Sequence, residues 1–461
     1  MEFNYPSMVP WVQGPVCQNA ILCYPAYIGH SITEAPLVFI NHNIHIITKD
    51  ALVLTSDDFD DPHYVYWRNS QDPDFTFLEL FFGPLFSALS VGVFFLICRT
   101  FEFSRKNSTV LTLFFGLTTT VWAYSQTSLN SIPLEFFILL GFLFFRKFQS
   151  ERSAINLILC GTSFGFAFLV RPDAILFIIP LFFFLLNDFR KQDKKIKKFL
   201  FLITPLIVSY GIYRIIDYVR IGTSLMTGVS SSASTVASIG NNSTLPVGIF
   251  GLLLSPGAGL LIFSPILFTI FLSFPDFYKK HKRDCILLLS FIALFLINYG
   301  ASSAWHGFVS WGARYLLPII PFLLLPLGAT LEKRRNKILN IFLVSLGGVG
   351  FFFNIVYLIQ DVSWFVWTYP GSHTGLFGLA QPGDALYLNP STFWTFENSQ
   401  LTHSIIMMFQ HLQPDIFLLK LFGPLVYGFV IAAILSVPIY LLFNLFKQKS
   451  KPVDYHLDSV V

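Results

Sequence analysis

The sequence predicts an all-α polytopic membrane protein of about eleven transmembrane helices joined by loops. Three observations predict it. Of 461 residues, 54% are hydrophobic and only 12% charged, whereas soluble domains carry about 25% charge. Apolar runs recur along most of the chain. The loops between them alternate between strongly basic and nearly free of lysine.

The runs fall at about 77–98, 108–124, 132–145, 155–170, 173–187, 199–217, 247–274, 284–300, 314–331, 338–359 and 416–446. Several are shorter than the ~20 residues of an ideal span. Basic residues gather at Arg99/Arg105/Lys106, Arg146/Lys147/Arg152, Arg190 to Lys198, Lys279 to Arg283, Lys333 to Lys337 and Lys447 to Lys451. The positive-inside rule makes these six clusters cytoplasmic, and all eleven runs then cross the membrane with no parity error.

A domain plan follows. Residues 1–76 form an external amino-terminal segment and 77–359 a transmembrane core of about ten helices. The loop 360–415 is external and long enough for a lid. Residues 416–446 form the last span, and 447–461 a cytoplasmic tail. The tract Ser230 to Thr244 reads as an external loop, with glycosylation sequons at Asn241 and Asn242. No signal peptide precedes the external segment. Either the first span is a reversed anchor or an initial helix is missing. Cys17, Cys23, Cys98, Cys160 and Cys285 show neither metal spacing nor a disulfide framework, and nothing in the charge pattern points to nucleic acid.

Four polar features mark the predicted outer face. The acidic cluster Asp57, Asp58, Asp60 and Asp61 suits a general base, and Asp58 with Asp60 suits a divalent cation. It fits a solvated acidic turn equally well. In Leu169-Val-Arg-Pro-Asp173, Pro172 suits the first position of a helix, which puts Arg171 at a helix amino end where phosphate is favoured. An Arg171–Asp173 pair that pins a helical hairpin is the competing reading. The prolines and glycines of Leu254-Ser-Pro-Gly-Ala-Gly-Leu260 and Phe263-Ser-Pro265 interrupt one long run. They predict a broken or re-entrant helix lining a cavity, or a simple kink. Last comes Trp305-His-Gly-Phe-Val-Ser-Trp-Gly-Ala-Arg-Tyr-Leu-Leu-Pro318. Arg314 repeats the anion logic of Arg171, and His306 suits proton transfer or a phosphate contact. An aromatic belt at the interface accounts for Trp305 and Trp311 but not for His306 and Arg314.

From Gly83 to about Leu331 the chain resembles polyprenyl-phosphate-sugar-dependent glycosyltransferases of the C superfamily, the dolichyl-phosphate mannosyltransferase-like type. Val121-Trp-Ala-Tyr-Ser125, the Arg171 motif, the Ser255-to-Pro265 stretch and the Trp305-to-Pro318 stretch carry the resemblance, in that order. It implies a membrane enzyme that takes a sugar from a lipid phosphate carrier and passes it to a lipid, glycan or protein acceptor outside the membrane. An external aspartate would be the base, in some members with a metal, here magnesium or manganese. Arg171, His306 and Arg314 would meet the carrier phosphate, with Ser255, Gly257, Trp305, Trp311 and Tyr315 lining the substrate cavity.

The chain departs from the family pattern in two places. Gly14 to Gly29 looks like the piece that follows the family's catalytic loop; on that resemblance the first helix and the usual aspartate would be absent, and the acidic cluster at Asp57 to Asp61 would have to substitute. Ala258 stands where a basic residue is frequent. A catalytically inactive or lipid-glycan-binding or transporting protein of the same fold is therefore the alternative. A transporter, however, is expected to show internal repeats and charges deep within its spans.

Overall fold

The computed structural model describes residues 28–48, 76–189, 195–221, 245–302, 305–307, 310–333, 337–359 and 390–410, with 428, 429 and 432. Among these residues every regular element is helical. The first ten apolar runs coincide with helical segments. The eleventh run apart from 428, 429 and 432, the tail, Asp57 to Asp61, the sequons and residues 360–389 of the long loop lie outside the described residues.

The elements are α1 (Ile28–Thr48), α2 (Thr76–Thr100), α3 (Arg105–Thr118), α4 (Thr120–Tyr124), α5 (Ser131–Glu151), α6 (Ala154–Val170), α7 (Ile175–Phe189) and α8 (Lys195–Ile221). There follow α9 (Leu245–Leu254), α10 (Leu260–Phe263), α11 (Ile270–Lys280), α12 (Lys282–Gly300), α13 (Ile320–Leu324), α14 (Leu327–Lys333), α15 (Lys337–Ile359), α16 (Pro390–Trp394) and α17 (Gln400–Gln410). Phe81–Thr100, Ile196–Val219, Lys282–Gly300, Arg314–Lys333 and Lys337–Ile359 are each long and apolar enough to cross a membrane. Shorter apolar helices include Ala154–Val170 and Pro172–Leu186. The protein is a polytopic membrane protein.

The long run at 247–274 is broken, and its prolines and glycines explain where. Pro256 and Pro265 have no N–H to continue a helix, so α9 stops and a turn runs from Ser255 to Gly259 before α10. The freed backbone is met by protein, as membrane depth requires. Ala258 N donates to Ser255 Oγ at 3.0 Å, Gly259 N to Ser255 O at 2.7 Å, and Gly257 N to Phe393 O at 3.2 Å.

The run at 314–331 is divided as well. It opens as a 3₁₀ helix, Arg314–Ile319, ahead of α13 and α14, with Pro318, Pro321 and Pro326 each removing a donor. Arg314 therefore heads a six-residue 3₁₀ helix rather than a long α-helix, and Arg171 precedes the single 3₁₀ turn Pro172–Ala174. Each 3₁₀ stretch runs on into an α-helix, so both arginines stand at the amino end of a helical segment, Pro172–Leu186 and Arg314–Lys333.

Helix α1 was not visible as a regular element in the sequence, because His30, Asn41, Asn43 and His45 interrupt its apolar pattern. It seats on the carboxyl end of α6. A Cβ on Gly29 would lie 2.4 Å from Leu169 C and Val170 N, so only glycine permits that approach, immediately beside Arg171.

Helices α5, α6 and α8 pack in sequence. Gly161 lets α8 close in, since a Cβ there would sit 2.4 Å from Leu202 O. Lipid is as apolar as a protein core, so such close packing, not burial from water, holds the bundle. Phe142, Phe177, Phe291, Phe295 and Phe322 form one aromatic cluster. The outward faces of α8 and α15 stay apolar, with Ile215 65% and Ile338 78% exposed, as helices facing lipid should be. The basic end of the bundle is tied by Arg146–Asp284 at 2.7 Å and Lys333–Asp276 at 2.9 Å. There Glu332 also accepts from Ser104 N at 2.6 Å and from Asn107 Nδ2 at 2.8 Å, satisfying the start of α3.

Candidate functional site

The opposite end of the bundle gathers the polar motifs. Arg171 is 6% exposed, and its guanidinium is already engaged. Nε and Nη2 reach Asp173 Oδ1 and Oδ2 at 3.1 and 2.5 Å, and Nη1 reaches Ser131 Oγ at 2.9 Å. Nη2 also donates to the Tyr299 hydroxyl, which in turn donates to Asp173. The hairpin-pinning pair is thus present, extended by a tyrosine from α12 and a serine from the start of α5.

A stacked pair links this cluster to Arg314. The rings of Tyr299 and Tyr315 lie 4.6 Å apart and 6° from parallel. The Arg314 guanidinium stands 5.0 Å from the Tyr315 ring centre, and its Nη2 donates to the Tyr315 hydroxyl at 3.3 Å. Arg314 is half-buried, and its Nε–H has no hydrogen-bond partner.

The segment leading to Arg314 turns twice on glycine. Gly307 and Gly312 both have φ of +71°, a backbone that glycine adopts without strain. Ser310 Oγ lies 3.2 Å from both His306 O and Gly312 O, and its hydroxyl braces the turns. A side chain at Gly307 would press on Arg314 Cγ and Nε at 3.1 and 3.2 Å, so the glycine keeps the space beside that free N–H open.

Three further predicted residues join this group. The His306 ring stacks on Phe393 at 4.3 Å. Trp305 lies against α9, where a Cβ on Gly251 would come within 2.5 Å of its ring. Trp311 packs edge-on against Phe263 at 5.0 Å and lies 5.1 Å from Tyr357. It is 1% exposed, and its Nε1 lacks a partner. Ser255 and Gly257 form the proline-glycine turn, with Ser255 fully buried and Gly257 bonded to Phe393. Ser264 Oγ accepts from Thr120 N at 3.0 Å and joins the Val121 motif to the same assembly. Asp57, Asp58, Asp60 and Asp61 lie outside the described residues. Among the described residues no three His, Cys, Asp or Glu side chains form a metal-binding group.

Burial first, and then the neighbouring Arg314 guanidinium, push His306 down to about 4. The imidazole is therefore neutral at ordinary pH in the ligand-free protein. Its effect on stability has a definite sign. Between about 4 and the usual value near 6.5, the unfolded chain binds the proton and the folded chain does not, so stability falls as pH drops through that window. His306→Phe keeps the stack on Phe393 and removes the titration. Its unfolding temperature in detergent should fall less than the wild type's between pH 7 and 4.5, and an equal fall in both proteins would reject the assignment.

Residues 79–213 match the family model of dolichyl-phosphate-mannose-protein mannosyltransferases. That stretch, under a third of the chain, is thus similar to a family of membrane glycosyltransferases of the C superfamily. That family draws its sugar from a polyprenyl phosphate. The matched stretch contains the Val121 and Arg171 motifs together with Ser131, whereas the Arg314 motif lies beyond it. No curated protein shows significant similarity to the chain.

Sequence reasoning passed over Tyr299, Ser131 and Phe393. Each lies in an apolar or serine-rich context where a side chain of that kind is ordinary. Glu135 was also missed, although a single acid inside Leu134-Glu-Phe-Phe-Ile-Leu-Leu140 is a signal that the sequence does carry.

Proposed function

We propose that the protein is a glycosyltransferase that moves a sugar from a polyprenyl-phosphate carrier to a lipid, glycan or protein hydroxyl on the extracytoplasmic face, within a bundle of about eleven spans. The basic loops support that orientation, with the amino-terminal segment outside and the tail inside. The carrying observation is a charge balance. Asp173 neutralises Arg171, which among the described residues leaves Arg314 with a positive charge and an unpaired Nε–H. One positive charge matches the single negative charge of a sugar phosphodiester, and a guanidinium suits phosphate oxygens.

In this reading the acceptor oxygen attacks the anomeric carbon from the side opposite the phosphate and inverts it. The bond from that carbon to the phosphate oxygen breaks, and its electron pair stays on the phosphate. Arg314 stabilises the charge that develops there. One of Asp57, Asp58, Asp60 and Asp61 takes the acceptor proton, and Asp58 with Asp60 would hold a magnesium or manganese ion if one is used.

The test uses the full chain in liposomes with polyprenyl-phosphate mannose and a mixed acceptor extract, reading release of polyprenyl phosphate with and without EDTA. Turnover is expected, together with at least a ~10²-fold loss when the four aspartates become asparagine. Unchanged turnover in that variant rejects the base assignment. Donor binding without turnover in the wild type favours a binding or transport role.

A further inference from the structure

Glu135 sits five residues into α5 and is 1% exposed, and among the described residues its Oε1 has no hydrogen-bond partner. A charged carboxylate without a partner at this depth costs several kcal/mol, and no other part of the mechanism uses the group. Helix register locates it. Ser131, Glu135, Ile138 and Phe142 are spaced four, three and four residues apart and form one stripe of α5.

Both ends of that stripe have defined neighbours. Ser131 accepts the hydrogen bond from Arg171. Phe142 packs on Phe291 of α12 and Phe322 of α13, at 6.3 and 5.2 Å. The 3₁₀ helix that begins at Arg314 also packs against α5. Glu135 therefore faces the seam between α5, α12 and the Arg314 segment. Side chains on a helix lean toward its amino end, which here is the Ser131 end, about 6 Å up the axis. The carboxyl group leans toward the line of Arg171, Tyr299, Tyr315 and Arg314.

We propose that Glu135 is the proton donor to the leaving phosphate, held beneath that line. The proposal rests on Arg314 as the phosphate contact. When the bond to the sugar breaks, the carrier phosphate passes from one negative charge to two, and a single unneutralised guanidinium no longer matches it. The Glu135 O–H passes its proton to a phosphate oxygen. The carrier then leaves as a monoanion, the negative charge stays on Glu135 under the arginines, and a proton from water restores the acid afterwards. The acceptor's own proton goes separately to the base, so atoms and charge balance.

The test compares wild type with Glu135→Gln, Glu135→Asp and Glu135→Leu in liposomes with polyprenyl-phosphate mannose. Wild-type kcat should fall at alkaline pH, where the acid loses its proton; Glu135→Gln should lower kcat about 10²-fold, leave the donor KM unchanged and abolish that fall. Glu135→Asp should retain that fall with partial rate. Wild-type kcat and pH profile in Glu135→Gln would overturn the proposal, as would a defect confined to Glu135→Leu, which signals a packing role. A readout without turnover is the carboxylic-acid infrared band, which should be lost on adding polyprenyl phosphate and be absent from Glu135→Gln. A band that does not respond overturns the proposal. Capture of radiolabelled donor separates the two readings. Normal capture in Arg314→Ala defeats the phosphate reading, whereas weak capture in Arg314→Ala with normal capture and wild-type kcat in Glu135→Gln defeats only the proton donor.

Discussion

Arg314→Ala is expected to lower sugar transfer by about 10²- to 10³-fold, the usual cost of removing one preorganised donor to a developing anion, while leaving the bundle folded. The fold should tolerate the change because among the described residues Arg314 bonds weakly, through Nη2 to Tyr315 at 3.3 Å. Its Nε–H has no partner to leave unsatisfied. Arg314→Lys should restore charge without the planar fork and recover only part of the rate. Measured kcat and donor KM, with detergent melting as the control, decide it. A variant that retains full transfer sinks the phosphate contact.

Arg171→Ala is expected to act on stability instead, by about 3–5 kcal/mol, because it strands a buried partner charge. Asp173, Ser131 and the Tyr299 hydroxyl all bond to this guanidinium, and they come from three separate parts of the chain. Loss of the arginine leaves Asp173 without its countercharge between α6 and α12. Removing the acid as well, in Arg171→Ala/Asp173→Ala, should recover part of the lost melting temperature. A single variant as stable as wild type would show that the pair pins nothing.

These two arginines show how much of the site was legible. Both stood out in the sequence for the same reason, a guanidinium at the polar end of an apolar run. Sequence spacing also suggested Asp173 as the partner of Arg171, since an acid two residues away is within local reach. It held no sign of Tyr299, 128 residues further on, which turns an ion pair into a network. Nor did it show that Arg314 heads a short 3₁₀ helix, because the backbone form depends on how Pro318 and Pro321 are packed. The break at Pro256 was legible, since proline and glycine act locally. That the freed Gly257 N–H is met by Phe393 was not, because that partner comes from a distant segment of the long loop.

Composition and local order determined by themselves that this is a helical membrane protein, that the long run breaks near Pro256, and which motifs carry polar chemistry. Hydrophobicity, proline and charge act on their immediate neighbours, so one chain suffices to read them. Tertiary structure decided which of two similar arginines is already neutralised and which still presents a donor. Pairing is a property of groups brought together across helices, and the number of residues between them says nothing about their distance.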